Sequence, residues 1–248
     1  MKFIELFLGR SLTPPTLPPF YPLYVRRFRS IARLVLRGLF GSVPVHLAPG
    51  ALEQARAARH VVLYSNHPSF WDPLLLAVLT GRIWSERPVV SPIDERGLRQ
   101  HPYFTGLGFF GLKPASAGGL RRLLTVAAGC WTGMEQSCLA ITPEGKFTTP
   151  SRGQEVQLQR GLALALSRHR GPTTLVPVGL DVRSGPPWRA RARLALGEAF
   201  CLEGEREVQE VHKELCLQLQ KTLDFVLEQP APGEAQLDLL KGGRLWSR

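Results

Sequence analysis

The sequence predicts an α/β fold: a single domain with a mostly parallel central sheet flanked by helices, preceded by an N-terminal amphipathic helical segment. Three observations carry that expectation. Short apolar runs at 61–64, 139–142, 174–178 and 193–197 have the length and composition of buried strands. Segments at 73–80, 120–136, 155–168 and 206–228 repeat apolar residues at helical spacing. The two kinds alternate, and helices that separate strands serve as crossovers between parallel neighbours. The chain has 248 residues, 44% of them hydrophobic, which suits one sizeable core.

The first segment, residues 1–44, divides in two. Pro14, Pro15, Pro18, Pro19 and Pro22 predict an extended linker over 11–22. A basic amphipathic helix is predicted over 23–40. Arg26, Arg29, Arg33 and Arg37 recur on one side, and Tyr24, Phe28, Ile31, Val35 and Leu39 form an apolar stripe. Two readings stay open: a helix packed on the core with a solvated arginine face, or one lying in a membrane interface. The folded domain is expected over 45–228. Residues 229–248 read as a loose tail with an apolar patch at 237–240.

Net charge is +11 and the isoelectric point is near 10.2, so the partner is anionic: nucleic acid, lipid headgroups or a phosphorylated substrate. Cys130, Cys138, Cys201 and Cys216 form no C-x-x-C pair and have no histidine cluster beside them. That argues against a metal site or a disulfide framework and for buried, reduced thiols. No apolar run approaches the roughly 18 residues that span a bilayer, and the N-terminal Phe3–Leu8 run has no signal-peptide cleavage site. The chain reads as neither secreted nor membrane-spanning.

Two motifs carry chemistry. Asn66-His67-Pro68-Ser69-Phe70-Trp71-Asp72-Pro73 follows the first strand and holds a His-x4-Asp (HX4D) spacing. A turn that returns Asp72 to His67 would fix the imidazole tautomer and leave the other ring nitrogen to take a proton. A helix start capped by Asp72, with Pro73 at its first position, is the alternative. The second motif, Thr142-Pro143-Glu144-Gly145-Lys146, follows the next strand, where a turn can aim a carboxylate into a cleft. Both motifs fall at the carboxyl ends of predicted strands, where parallel sheets gather ligands.

Together with Leu175-Val176-Pro177-Val178 and the block Leu107-Gly108-Phe109-Phe110-Gly111-Leu112-Lys113, these motifs resemble the ordered blocks of the glycerolipid acyltransferase family, and of its bacterial 1-acylglycerol-3-phosphate acyltransferases in particular. The resemblance covers about residues 45–225. It implies acyl transfer from acyl-CoA or acyl carrier protein to a lysophospholipid hydroxyl, with no other cofactor. It also implies His67 as general base and Asp72 as its orienting partner, with Lys113, Glu144, Gly145, Lys146 and Arg152 as substrate-binding residues. With that implication the N-terminal helix becomes a peripheral anchor on anionic lipid at the cytoplasmic face of the cell membrane. Its arginines are Arg26, Arg29, Arg33 and Arg37, and its apolar residues Phe28, Ile31 and Val35. No nucleic acid is expected. The sequence departs from the family where Lys146-Phe147-Thr148 replaces the usual Thr-Arg-Ser, an arginine implied to hold the acceptor phosphate. Two other readings remain: the same chemistry on a non-phosphate lipid, terpenoid or glycolipid hydroxyl, and acyl-thioester hydrolysis.

Overall fold

A computed structural model describes residues 11–14, 16–183, 190–228 and 237–241. Expectations for the first ten residues and for the remainder of the 229–248 tail lie outside the described residues. The elements run α1 (Pro22–Phe40), β1 (Pro44–Leu47), α2 (Ala51–Ala57), β2 (His60–Ser65), α3 (Asp72–Ile83), β3 (Val89–Asp94) and α4 (Glu95–Gln100). A short 3-10 turn (Pro102–Phe104) precedes β4 (Phe109–Leu112), α5 (Ala117–Gly133), β5 (Ser137–Ile141) and α6 (Gly161–Ser167). The chain continues through β6 (Thr173–Arg183), β7 (Arg191–Leu196), β8 (Phe200–Leu202), α7 (Val208–Leu227) and β9 (Leu237–Asp238).

The strands form one sheet in the order β4-β3-β5-β2-β6-β7-β1-β9, with β8 paired on β6. β4, β3, β5, β2 and β6 are parallel, and β7 reverses direction against β6. This is the mostly parallel α/β domain that the sequence predicts. Every residue of β2 is buried, as a central strand covered on both faces requires. Val61 and Leu63 enter the core beneath α1, α2 and α3. Val62 and Tyr64 enter the opposite core, with residues of α5, α6 and α7. The period of two along β2 therefore divides the protein into two apolar layers.

Three segments differ from expectation. Of the segment expected as an extended linker over 11–22, Leu17 and Phe20 are buried, Tyr21 N donates to Gly106 O at 2.9 Å and Gly108 N donates to Pro19 O at 3.0 Å. Gly108, at φ +88°, has no room for a Cβ, which would collide with the Val89 carbonyl oxygen of β3. The helix expected over 155–168 begins only at Gly161. Upstream of it, Val156 N donates to Gln220 Oε1 at 2.8 Å and Gln159 N to Pro143 O at 2.7 Å, bonds that hold an irregular strap. The patch at 237–240 is docked: β9 pairs with β1, and Leu239 and Leu240 are buried.

At the end of the sheet away from the motifs, the His60 imidazole hydrogen-bonds Ser137 Oγ at 3.0 Å. Burial pushes it down to about 4, and nearby Arg59, His169 and Arg87 add to the effect. The folded chain thus refuses a proton that the unfolded chain accepts near 6.5. The stability linked to His60 is present above that pH and is lost as pH falls toward 4. Thermal melts across this window should show wild type losing stability faster than His60→Asn; equal slopes would exclude His60 as the source.

Candidate active site

The first motif is built from the carboxyl end of β2. Beyond Ser65 the neighbouring strand β6 departs to pair with β7, and Asn66 completes the ladder with its side chain. Asn66 Nδ2 donates to Leu180 O at 2.9 Å, and Leu180 N donates to Asn66 Oδ1 at 2.8 Å. Two buried backbone groups are thereby satisfied where the strand ends. On the other side of β2, β5 delivers the second motif in parallel register, Tyr64 against Ile141. His67 N donates to Glu144 Oε2 at 2.7 Å, and Thr148 N donates to His67 O at 2.9 Å. His67 is fixed at both ends of its own backbone by the 144–148 loop.

The side chain of His67 is fixed from the opposite direction. Its Nδ1 lies 2.8 Å from Asp72 Oδ2. Asp72 is fully buried, and Ser69 supplies the rest of its solvation. Ser69 N donates to Oδ2 at 3.1 Å and Ser69 Oγ to Oδ1 at 2.7 Å. With Nδ1 donating to a carboxylate, Nε2 carries the lone pair, as a general base requires. The imidazole keeps about 20% of its surface exposed. Asp72 therefore does not cap α3: the cap position falls on Trp71, and the carboxylate serves His67 and Ser69.

Ser69 is arranged as a support, not as a nucleophile. Its hydroxyl donates to Asp72 and accepts from Trp71 N at 3.1 Å, so its proton is directed away from His67. Trp71 N and Ser69 N are both spent, and Asp72 N donates to Ser69 O at 3.3 Å. Among the described residues, this leaves Phe70 N as the amide of the 69–72 turn with no acceptor.

Glu144 is buried, and burial raises its carboxyl above the ordinary range; the His67 amide, the His67 ring and Lys146 oppose that shift. Gly145 sits at φ +69° in a turn closed by Gly145 N to Thr142 O at 3.2 Å. Glu144 and Lys146 line a cleft of about 180 Å³ with Asn66, Thr148, Gln157 and Gln220. The other predicted cations are placed elsewhere. Arg152 donates to Leu227 O, the end of α7, at 3.3 Å. Lys113 follows β4, and β3 and β5 lie between that strand and β2. No contact joins either one to His67 among the described residues.

Two features of the site escape sequence reasoning. Asn66 lies inside the motif, but its role depends on β6 diverging. Phe147 lays its ring on the His67 imidazole, with centroids 4.3 Å apart and planes tilted by 35°, while remaining 61% exposed.

In fold, the chain is similar to a solved protein. The chain superposes on the crystal structure of the 1-acyl-sn-glycerophosphate (LPA) acyltransferase PlsC from Thermotoga maritima with a TM-score of 0.55 and 14% identity. The match covers 84% of this chain and 79% of that one. Neither a protein-family model nor a curated protein sequence matches.

Removing either support of the imidazole has a defined cost. Asp72→Asn can present the wrong tautomer to His67, and the same exchange in a Ser-His-Asp enzyme costs about 10⁴ in kcat. A loss of at least roughly 100-fold in thioester turnover is expected here. Ser69→Ala leaves a buried carboxylate oxygen without its donor and should cost about 1–3 kcal/mol, seen as a lowered melting temperature. Full turnover in Asp72→Asn would remove Asp72 from the mechanism.

Proposed function

We propose that this protein is an O-acyltransferase that moves a fatty acyl group from a thioester, acyl-CoA or acyl carrier protein, to the hydroxyl of a membrane lipid. The observation that supports it best is the His67–Asp72 pair, held at the carboxyl end of the central strand with Nε2 left toward solvent. His67 takes the hydroxyl proton as the oxygen attacks the thioester carbonyl. The Phe70 amide is the donor we assign to the oxyanion that forms. Collapse of the tetrahedral intermediate breaks the carbon–sulfur bond, and the imidazolium returns the proton to the departing thiolate. The products are an ester and a free thiol, with no acyl-enzyme on the path.

The Thermotoga maritima neighbour is an LPA acyltransferase, and a lysophospholipid such as 1-acylglycerol-3-phosphate is one acceptor this reading allows. A non-phosphate lipid hydroxyl is the second, and the stacking of Phe147 on the base favours it. Water as acceptor would make the protein a hydrolase. Thioester consumption that rises on adding a lipid alcohol, with the ester recovered, supports transfer; consumption indifferent to any lipid alcohol supports hydrolysis.

The acceptor is delivered from a membrane surface. No helix among the described residues is long and apolar enough to cross a bilayer. Helix α1 instead carries a surface strip of Ile31, Leu34 and Val35, which are 60%, 68% and 41% exposed. Exposed Arg26, Arg27 and Arg37 flank it, and Arg33 is half-buried. Phe28 and Arg29, expected on the membrane face, turn inward. Phe28 packs edge-on against Phe104, and Arg29 donates to the Trp84 and Ser85 carbonyls at 3.4 and 3.0 Å. Burial lowers the Arg29 guanidinium to about 10. Because α1 also buries Val25, Ala32 and Leu36, deleting it would damage the core. The test is substitution: Ile31→Glu with Leu34→Glu should abolish co-flotation with anionic phosphatidylglycerol vesicles and leave the melting temperature unchanged. Undiminished flotation would exclude this face.

A further inference from the structure

We propose that Phe147 is a specificity-determining residue that selects an acceptor whose hydroxyl sits on an uncharged lipid skeleton, not beside a phosphate. The inference rests on the acyl-transfer reading and names the substrate class of that site. Its starting point is the stack: the ring covers one face of the imidazole at 4.3 Å. Its loop is tied to His67 on both sides, by His67 N to Glu144 Oε2 at 2.7 Å and Thr148 N to His67 O at 2.9 Å.

That arrangement decides what lies next to the reacting oxygen. Nδ1 is held by Asp72, so a hydroxyl must reach Nε2 along the edge of the imidazole, beside the Phe147 ring. Phe70, 64% exposed and 5.8 Å ring to ring from Trp71, presents a second aromatic surface from the His67 turn. An alkyl or glycerol skeleton gains contact on such a surface, whereas a phosphate would lose water there with nothing to replace it.

Charge points the same way. Two carboxylates, Asp72 and Glu144, contact His67 directly. Lys146 acts on Glu144, and Arg152 is committed to the end of α7. Lys113 lies beyond two intervening strands. Among the predicted cations Lys146 shares its cleft with the Glu144 carboxylate, which competes with a phosphate for it.

The test compares two acceptors with the same acyl chain, 1-monoacylglycerol and 1-acylglycerol-3-phosphate, in mixed micelles with acyl-CoA and with product identification. Wild type should favour the neutral acceptor in kcat/KM by roughly tenfold or more, the scale of discrimination that pocket contacts supply. Phe147→Arg should move the ratio toward the phosphate by a similar factor, and Phe147→Leu should keep the neutral preference. Melting temperatures confirm folding, since Phe147 is largely exposed. A wild-type preference for the phosphate, or a ratio unmoved by Phe147→Arg, overturns the inference while leaving acyl transfer standing. Consumption that neither these acceptors nor any other lipid alcohol raises overturns acyl transfer itself, and the inference with it.

Discussion

The buried Asp72 carboxylate is the constraint on which the site depends. A carboxylate with no solvent exposure must be fully hydrogen-bonded or it destabilises the fold. Here the ligands of that carboxylate come from its own turn: the His67 ring, the Ser69 amide and the Ser69 hydroxyl. Satisfying it therefore forces the 66–72 turn into one shape, and that shape turns Nε2 outward. The negative charge also stands at the first turn of α3, where the helix dipole favours it. Packing, helix start and candidate base are aspects of one arrangement.

The sheet supplies the second half. β2 stops while its neighbours continue differently, β6 outward with β7 and β5 into the Glu144 turn. Asn66 bridges the gap on one side and Glu144 on the other, so His67 projects from the point where three parallel strands part. The pieces of the site hold one another through hydrogen bonds between side chains and backbone. An aromatic ring lies over the His67 imidazole, and an apolar strip stands exposed on α1.

Much of this was legible in the residues. The central strands and long helices carry clear periodicity, and β2, α3, β5 and α7 fall within a few residues of expectation. The His–Asp spacing foretold the contact because a proline-bounded turn of that length closes readily. What could not be read depends on distant partners. The Pro-rich segment looked like a linker because nothing local shows that Gly106 and Gly108 receive its backbone. The strap over 155–160 reads as helical from its local pattern, but its amides bond to Pro143 and Gln220, remote in sequence. Arg29 falls on the arginine stripe, yet Trp84 and Ser85 just past α3 offer the carbonyls that draw it inward, and Gly81 leaves the space for its side chain. Lys113 follows β4, two strands from β2, and Arg152 bonds the end of α7, partners that the motifs they follow do not reveal.

The most direct measurement of the central claim is the rate of lipid-ester formation by His67→Ala beside wild type, under saturating acyl-CoA and lipid acceptor. A residue acting as general base predicts a loss of about 10²–10⁴-fold with the fold and vesicle binding retained. Ester formation at the wild-type rate in a folded His67→Ala protein would contradict the account.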